Sequence, residues 1–364
     1  AFGFAASGRD LVGRHGYRIL GLFSRGPATF NGGASYTYSG LGNPWLSLSF
    51  NQIHDAEGPF LAPDESQRNL FVVEAERRLA LGTTFTRRRA RTLASLGISG
   101  SHIWEDRSLL DDELRESRDF RLTRPDSRLA QGRIAFTFAN ARRYPFSVSA
   151  EDGVNLFVQG RTRRHLALSD SLRGVPAEDR SYRDLTGQLA LYQSLPLPGF
   201  GNHVLALRGS GGMAGGPGAD AYHFEVGGPS GGGGPLSMVQ LGEYLLYPVR
   251  GYATARRFGR YAWSASAEYR FPLWFINGGP GLLPIHLDWL SGTLFVDSGN
   301  AWGPELDLDG YRNPRREALA SLGGELTLRL MPLWYGNLEV RAGAALPLVE
   351  GDGARFYLRL GPSF

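Results

Sequence analysis

Much of the chain is written in two-residue alternation. Near its end, Phe356, Leu358, Leu360 and Phe364 interleave with Arg355, Tyr357, Arg359, Gly361 and Ser363. Upstream, Leu338, Val340, Ala342, Ala344 and Leu346 alternate with Glu339, Arg341 and Gly343, and Leu322, Leu326, Leu328 and Leu330 with Ser321, Glu325, Thr327 and Arg329. Trp263, Ala265, Ala267, Tyr269 and Phe271 interleave with Ser264, Ser266, Glu268 and Arg270, and similar runs surround Ile134 to Phe138 and Leu46 to Phe50. Period two is the signature of a β-strand, whose successive side chains point to opposite faces. A sheet with one apolar and one charged face separates two solvents. In a soluble sandwich the apolar face would meet a second sheet, but a terminal aromatic carrying the free carboxylate suits the rim of a membrane barrel better than a core.

The pattern predicts strands over 1–9, 15–24, 31–40, 45–54, 69–86, 91–105, 129–140, 145–161, 182–195, 202–212, 260–272, 287–301, 318–331, 337–347 and 355–364. Short connections such as Leu41-Gly42-Asn43-Pro44, Ala141 to Pro145 and Pro332 to Tyr335 alternate with long polar ones around 55–67, 106–128, 162–181, 213–259 and 302–317. Outer-membrane barrels show this asymmetry, with short periplasmic turns and long outer loops. The fold class expected is therefore all-β, a transmembrane antiparallel β-barrel. About fifteen strands are visible, while single-chain bacterial barrels usually carry an even number. The expectation is a single barrel domain over 1–364, of about sixteen strands, forming the C-terminal part of a longer protein whose first strand lies upstream of Ala1. A strand split or merged in the count is the alternative.

Composition narrows the class. With 364 residues the chain could bury a large soluble core, yet no apolar run approaches the roughly 20 residues of a membrane helix. Fifty Gly and an aromatic set of 21 Phe, 15 Tyr and 7 Trp fit an all-β protein. No Cys is present, which excludes disulfide frameworks and thiolate metal sites. A net charge of +4, with Arg scattered along strands and turns, speaks against nucleic acid as a partner.

Phe224-Glu225-Val226-Gly227-Gly228, a Gly-rich stretch, Val249-Arg250-Gly251-Tyr252, Ala267 to Leu273 and Leu294 to Trp302 follow one another in order. This series resembles the C-terminal barrel of the bacterial surface antigen superfamily, the BamA/TamA-type assembly and translocation barrels. The resemblance is strongest over 224–364; before 200 only the strand rhythm agrees. It implies that the 213–259 loop folds back into the lumen, with Arg250 of Val249-Arg250-Gly251-Tyr252 reaching acidic wall residues at the positions of Glu268 and Asp297. The alternation independently places both carboxylates on the polar face. A guanidinium can clasp a carboxylate through paired hydrogen bonds. The competing reading makes Arg250 one of many solvated loop arginines.

The resemblance further implies an integral protein of the bacterial outer membrane, without catalytic residues or cofactor, that inserts or translocates proteins. Its partners would be outer-membrane lipid and lipopolysaccharide, unfolded or partly folded protein substrates, and accessory periplasmic proteins. Phe356, Leu358, Leu360, Gly361 and Phe364 would form a C-terminal assembly signal and a weak seam, where substrate strands add to the exposed edge. Pro362 and Gly361 weaken a ladder there. A passive porin or substrate-specific transport barrel, and an outer-membrane enzyme barrel, are the alternatives.

Other motifs carry less. Gly228-Pro229-Ser230-Gly231-Gly232 matches a nucleophile-elbow pattern, but poly-Gly does not start the helix that this chemistry needs. The same run lacks the Lys-Ser/Thr of a phosphate loop. His286 and Asp288 share a strand face but lack a clustered third ligand, so no metal is expected. Arg87, Arg88, Arg89 and Arg91 form a basic run, read either as an anchor for anionic headgroups or a periplasmic partner, or as a solvated turn.

Overall fold

The computed structural model describes residues 2–23, 30–61, 69–110, 127–168, 181–217, 224–228, 246–281, 283–303, 317–332, 338–351 and 353–360. They form one antiparallel barrel wall and a small inner sheet. The wall comprises β1 (Phe2–Arg9), β2 (His15–Phe23), β3 (Phe30–Tyr38), β4 (Trp45–Leu61), β5 (Asn69–Arg88), β6 (Leu93–Leu110), β7 (Ser127–Ala139), β8 (Gly153–Leu168), β9 (Tyr182–Leu195) and β10 (His203–Gly215). It continues with β14 (Tyr261–Gly278), β15 (Ile285–Trp302), β16 (Leu319–Pro332), β17 (Leu338–Pro347) and β18 (Arg355–Leu360). Between β10 and β14 lie β11 (Phe224–Val226), β12 (Leu246–Tyr247) and β13 (Arg257–Gly259), paired in the order β12-β11-β13. The 15 wall strands pair in chain order from β1 to β18, and no pairing joins those two edges among the described residues. No helix there is long and apolar enough to cross a membrane, a test that does not bear on strands.

The wall is inverted relative to a soluble protein. In β15, Leu294 and Val296 are 56% and 55% exposed, while Asp297 is 1% exposed. The same exchange recurs where Leu322 and Leu326 face outward and Ser321 and Glu325 are buried, and where Leu205 and Leu207 flank buried Arg208. Apolar side chains on the outside suit lipid, which costs them nothing, while the inward polar groups satisfy one another. The burial is uneven around the wall. Among the described residues of β1 to β4 only Gly21 and Gly32 are buried, whereas buried side chains crowd β14 to β17.

Several boundaries differ from the sequence expectation. The strand expected over 145–161 starts at Gly153 and runs to Leu168, because 145–152 turns inward and buries Ser147, Val148, Ser149 and Glu151. The connection expected to be a short turn around Ala141 to Pro145 therefore spans 140–152. The loop expected over 213–259 begins later, since β10 runs to Gly215 paired with β9, and the wall resumes at Tyr261. β14 continues past 272 to Gly278 through register shifts between Pro272 and Trp274 and between Phe275 and Gly278. Such bulges bend a strand and account for an extension that simple alternation misses.

Candidate functional site

The connection from β10 to β14 turns back along the inner face of the wall. Phe224, Val226, Tyr247, Val249 and Tyr252 pack there against Ala214, Ala262, Ala301 and Leu319. Three of those four wall residues are alanines, so the returning backbone can approach closely. Gly251 follows at φ 91°, a left-handed conformation that favours glycine, with the position of a Cβ only 3.1 Å from Ala345 Cβ.

That turn aims Arg250 at the wall, where it is 1% exposed. Antiparallel register sets Ser266 of β14 opposite Asp297 of β15, and Glu268 lies two residues along the same face. Arg250 Nε donates to Asp297 Oδ2 at 2.6 Å and Nη2 to Oδ1 at 2.7 Å, a two-point clasp. The Arg250 backbone N–H donates to the same Oδ2 at 3.1 Å. Nη2 also lies 2.7 Å from Glu268 Oε1 and 3.0 Å from Ser266 Oγ, whose hydroxyl in turn donates to Asp297 Oδ1 at 2.7 Å. The guanidinium sits over the Phe295 ring, 3.5 Å from its centroid. Burial alone would lower the Arg250 pKa, but the Asp297 hydrogen bonds and the Glu268 and Asp297 charges outweigh it and raise it above its ordinary value.

A third carboxylate continues the cluster. Glu325 of β16 faces Arg250 Nη1 at 4.0 Å. It accepts from Arg341 Nη1 at 3.1 Å, Arg359 Nη2 at 2.8 Å and Tyr357 Oη at 3.1 Å, so it ties β17 and β18 to the site. Arg341 also donates to Glu339 at 2.6 Å, and Glu268 accepts from Arg270 at 2.7 Å. Above the clasp, Tyr252 Oη lies 2.7 Å from Ala320 O and 2.6 Å from Val349 O, and its single proton serves one of them at a time. Arg257 and Arg256 both reach Glu350, at 3.0 and 3.3 Å. Tyr252→Phe is expected to remove about 1 kcal/mol from the docking of this segment while Arg250 holds. Faster amide exchange over 252–258, with unchanged exchange in β14 and β15, is the measurement that checks it.

The structure thus brings Val249, Arg250, Gly251, Tyr252, Glu268 and Asp297 to one place. Phe356 and Leu358 point outward, 83% and 71% exposed. The side chain of Leu360, and Gly361 and Phe364 altogether, lie outside the described residues. Asp288 pairs with Arg329 at 3.4 Å, and among the described residues no group of three metal-ligating side chains gathers. Gly228 bridges to Val249, while Pro229 to Gly232 lie outside the described residues. Sequence reasoning passed over Ser266, Phe295, Glu325, Glu350, Tyr357 and Arg359 as parts of the site. For Glu325 the sequence shows only its place on the polar face; the register that sets Arg341 directly opposite Arg359, like charges that call for an acid beside them, comes from the structure.

An inverted wall with a segment clasped on its inner face defines a class of structure, a membrane β-barrel with an inward-folded loop. Comparison with solved structures makes that class specific. Over its whole length the chain is similar to CdiB from Escherichia coli, with 13% identity, a TM-score of 0.57 and 59% of that chain covered. BamA from Haemophilus ducreyi lacking POTRA domains 1-3 matches over 98% of this chain and 65% of its own, at 15% identity and a TM-score of 0.56. CdiB from Acinetobacter baumannii matches at 14% identity and a TM-score of 0.54, with 59% of it covered. The fold is the BamA/CdiB-type barrel, and the chain spans about three fifths of the length of the structures it matches. No family model and no curated protein matches the sequence.

Proposed function

We propose that this protein is an integral barrel of the bacterial outer membrane that inserts or translocates proteins, acting without catalytic residues. The observation that carries the reading is the segment 246–259, folded into the lumen and held by Arg250 on Asp297 and Glu268. The clasp ties this segment to the wall at a buried charge cluster rather than leaving it free in the lumen. A barrel that handles chains at its edge needs a sealed lumen, and among the described residues β1 and β18 do not pair with each other, which leaves the place between them for an extended chain to add by main-chain hydrogen bonds. The outward apolar surface supports the membrane setting.

The direct test is reconstitution in vesicles with an unfolded outer-membrane protein or a secreted chain added as substrate. Faster substrate folding or transfer than in empty vesicles is expected. Large steady conductance without any effect on substrates would instead mark a porin. As a prior check, the protein should migrate faster on SDS gels unheated than boiled, with a β-dominated circular dichroism spectrum, because the wall satisfies its backbone internally. A helical spectrum would overturn the membrane-barrel reading.

A further inference from the structure

Most short turns on the side of the barrel away from the returning segment are plain and exposed, with Leu11 and Leu41 projecting into solvent. The connection between β7 and β8 is different. Residues 140–152 dip inward, and Ser147, Ser149 and Glu151 are each 1% exposed. Glu151 Oε1 accepts from Ser147 Oγ at 2.6 Å, and Oε2 from Asn202 Nδ2 in the β9–β10 turn at 2.9 Å. The backbone of Glu151 bridges to Arg142. Asp152, at φ 45°, accepts from the Ser194 backbone N–H at 2.9 Å and from its hydroxyl at 2.7 Å. Gly201 fits because it has no Cβ: one would collide with the Phe146 carbonyl. Apolar contacts add to these: Val148 is buried, Ala141 and Ala150 pack against Ala190, Tyr192, Val204 and Ala206, and the Phe146 ring meets Phe275 edge-on at 5.4 Å.

The same segment touches the far wall. Arg143 Nη2 lies 3.5 Å from Glu339 of β17, although β9, β10, β14, β15 and β16 lie between β8 and β17 in the sheet. Glu339 is bound to Arg341, Arg341 to Glu325, and Glu325 faces Arg250. One run of alternating charges therefore connects the segment at the short-turn mouth with the segment clasped at the other end.

We propose that residues 140–152 form a second, inner gate across the short-turn mouth, coupled through Glu339, Arg341 and Glu325 to the seat of Arg250. The inference rests on the membrane-barrel reading but not on the substrate assigned to it. A gate held by side-chain hydrogen bonds, one half-exposed ion pair and a few small apolar contacts, without a ladder along both edges, opens at lower cost than a wall strand. Closure at two levels would keep the lumen sealed while either segment moves alone. The coupling is a shared set of carboxylates, so freeing Arg250 changes the charge balance that Glu325 offers to Arg341 and thereby the hold of Glu339 on Arg143.

The chain contains no cysteine, so Val148→Cys supplies a single thiol for labelling by a bulky maleimide in the full-length barrel in vesicles. Leu11→Cys, on an exposed turn at the same mouth, sets the unprotected rate. The Val148→Cys thiol should react at least about tenfold more slowly, and adding Glu151→Ala or Gly201→Ala should remove most of that protection. Glu151→Gln should restore it, since its amide can still serve Ser147 and Asn202. Adding Arg250→Ala should raise labelling, and raise it less when Glu339→Gln is also present. Equal rates at the two thiols in a barrel that retains heat-modifiable mobility would overturn the gate, as would protection that survives both release variants. An effect of Arg250→Ala that is the same with and without Glu339→Gln would overturn the coupling. Loss of substrate insertion alone leaves these rates unchanged, so the two proposals fail separately.

Discussion

Arg250→Ala is expected to leave the wall folded and release the returning segment. The substitution strips Asp297 and Glu268, 0% and 2% exposed, of the guanidinium that clasps them. Leaving a buried charge unpaired costs roughly 3–5 kcal/mol, and less where lumen water can reach it. The cost falls on the segment before the wall, because β14 and β15 keep their mutual ladder along nearly their whole length while 246–259 depends on few contacts. The variant should retain heat-modifiable mobility and expose 246–259 to added protease, and the proposed insertion or translocation of substrates should be lost. Exchanging the charges by Arg250→Asp with Asp297→Arg should restore only part, because the planar fork of Arg has no counterpart when the longer side chain grows from the wall. Unchanged protease resistance together with unchanged activity would dismiss the clasp as a functional element.

Glu325→Ala should act on the other side of the same cluster, on the final strand. Arg341, Arg359 and Tyr357 all donate to this one carboxylate, and Arg359 is 6% exposed. Arg341 keeps Glu339, whereas Arg359 loses the carboxylate that faces it. Removing one partner of a buried charged cluster costs on the order of 3–5 kcal/mol, and β18 supplies two of the three donors that Glu325 holds. Among the described residues β18 pairs with β17 alone, from Val340↔Leu360 to Ala345↔Arg355. Amide exchange over 355–360 should accelerate strongly, and unheated mobility should be lost at a lower temperature, while β5 and β6 stay protected. Glu325→Gln should lie between, since it keeps an acceptor but not the charge. Exchange in β18 that is indifferent to both substitutions would show that the strand is held by its ladder alone.

How much of this was legible in the sequence depends on what signal each part leaves. Two-residue alternation is local, so the facing of Glu268, Ser266 and Asp297 could be read directly, and so could the outward set around Leu294 and Val296. The segment Val249-Arg250-Gly251-Tyr252 was legible only through its resemblance, because nothing in a tetrapeptide states which distant carboxylates it will meet. Glu325 was visible as a polar-face residue, but its role depends on register across β16, β17 and β18. The inward turn at 140–152 was missed because Phe146, Val148 and Ala150 alternate with Ser147 and Ser149 like any strand. Only the long-range hydrogen bonds of Glu151 and Asp152 distinguish it.

The uneven burial around the wall has a mechanical consequence. β14 to β18 are stitched on the inside by ion pairs, and they carry the docked segment as well. β1 to β4 bury no side chain among their described residues, and beside the backbone ladder they hold by ring contacts such as Phe2 and Phe30 on Phe23 and His15 on Tyr36. A cylinder built this way has a stiff half and a compliant half, and lateral pressure from the bilayer or an arriving chain would be taken up as bending of β1 to β4. The clasped half would ride through such a deformation nearly unchanged in shape, so the barrel can flex without first breaking its own lock.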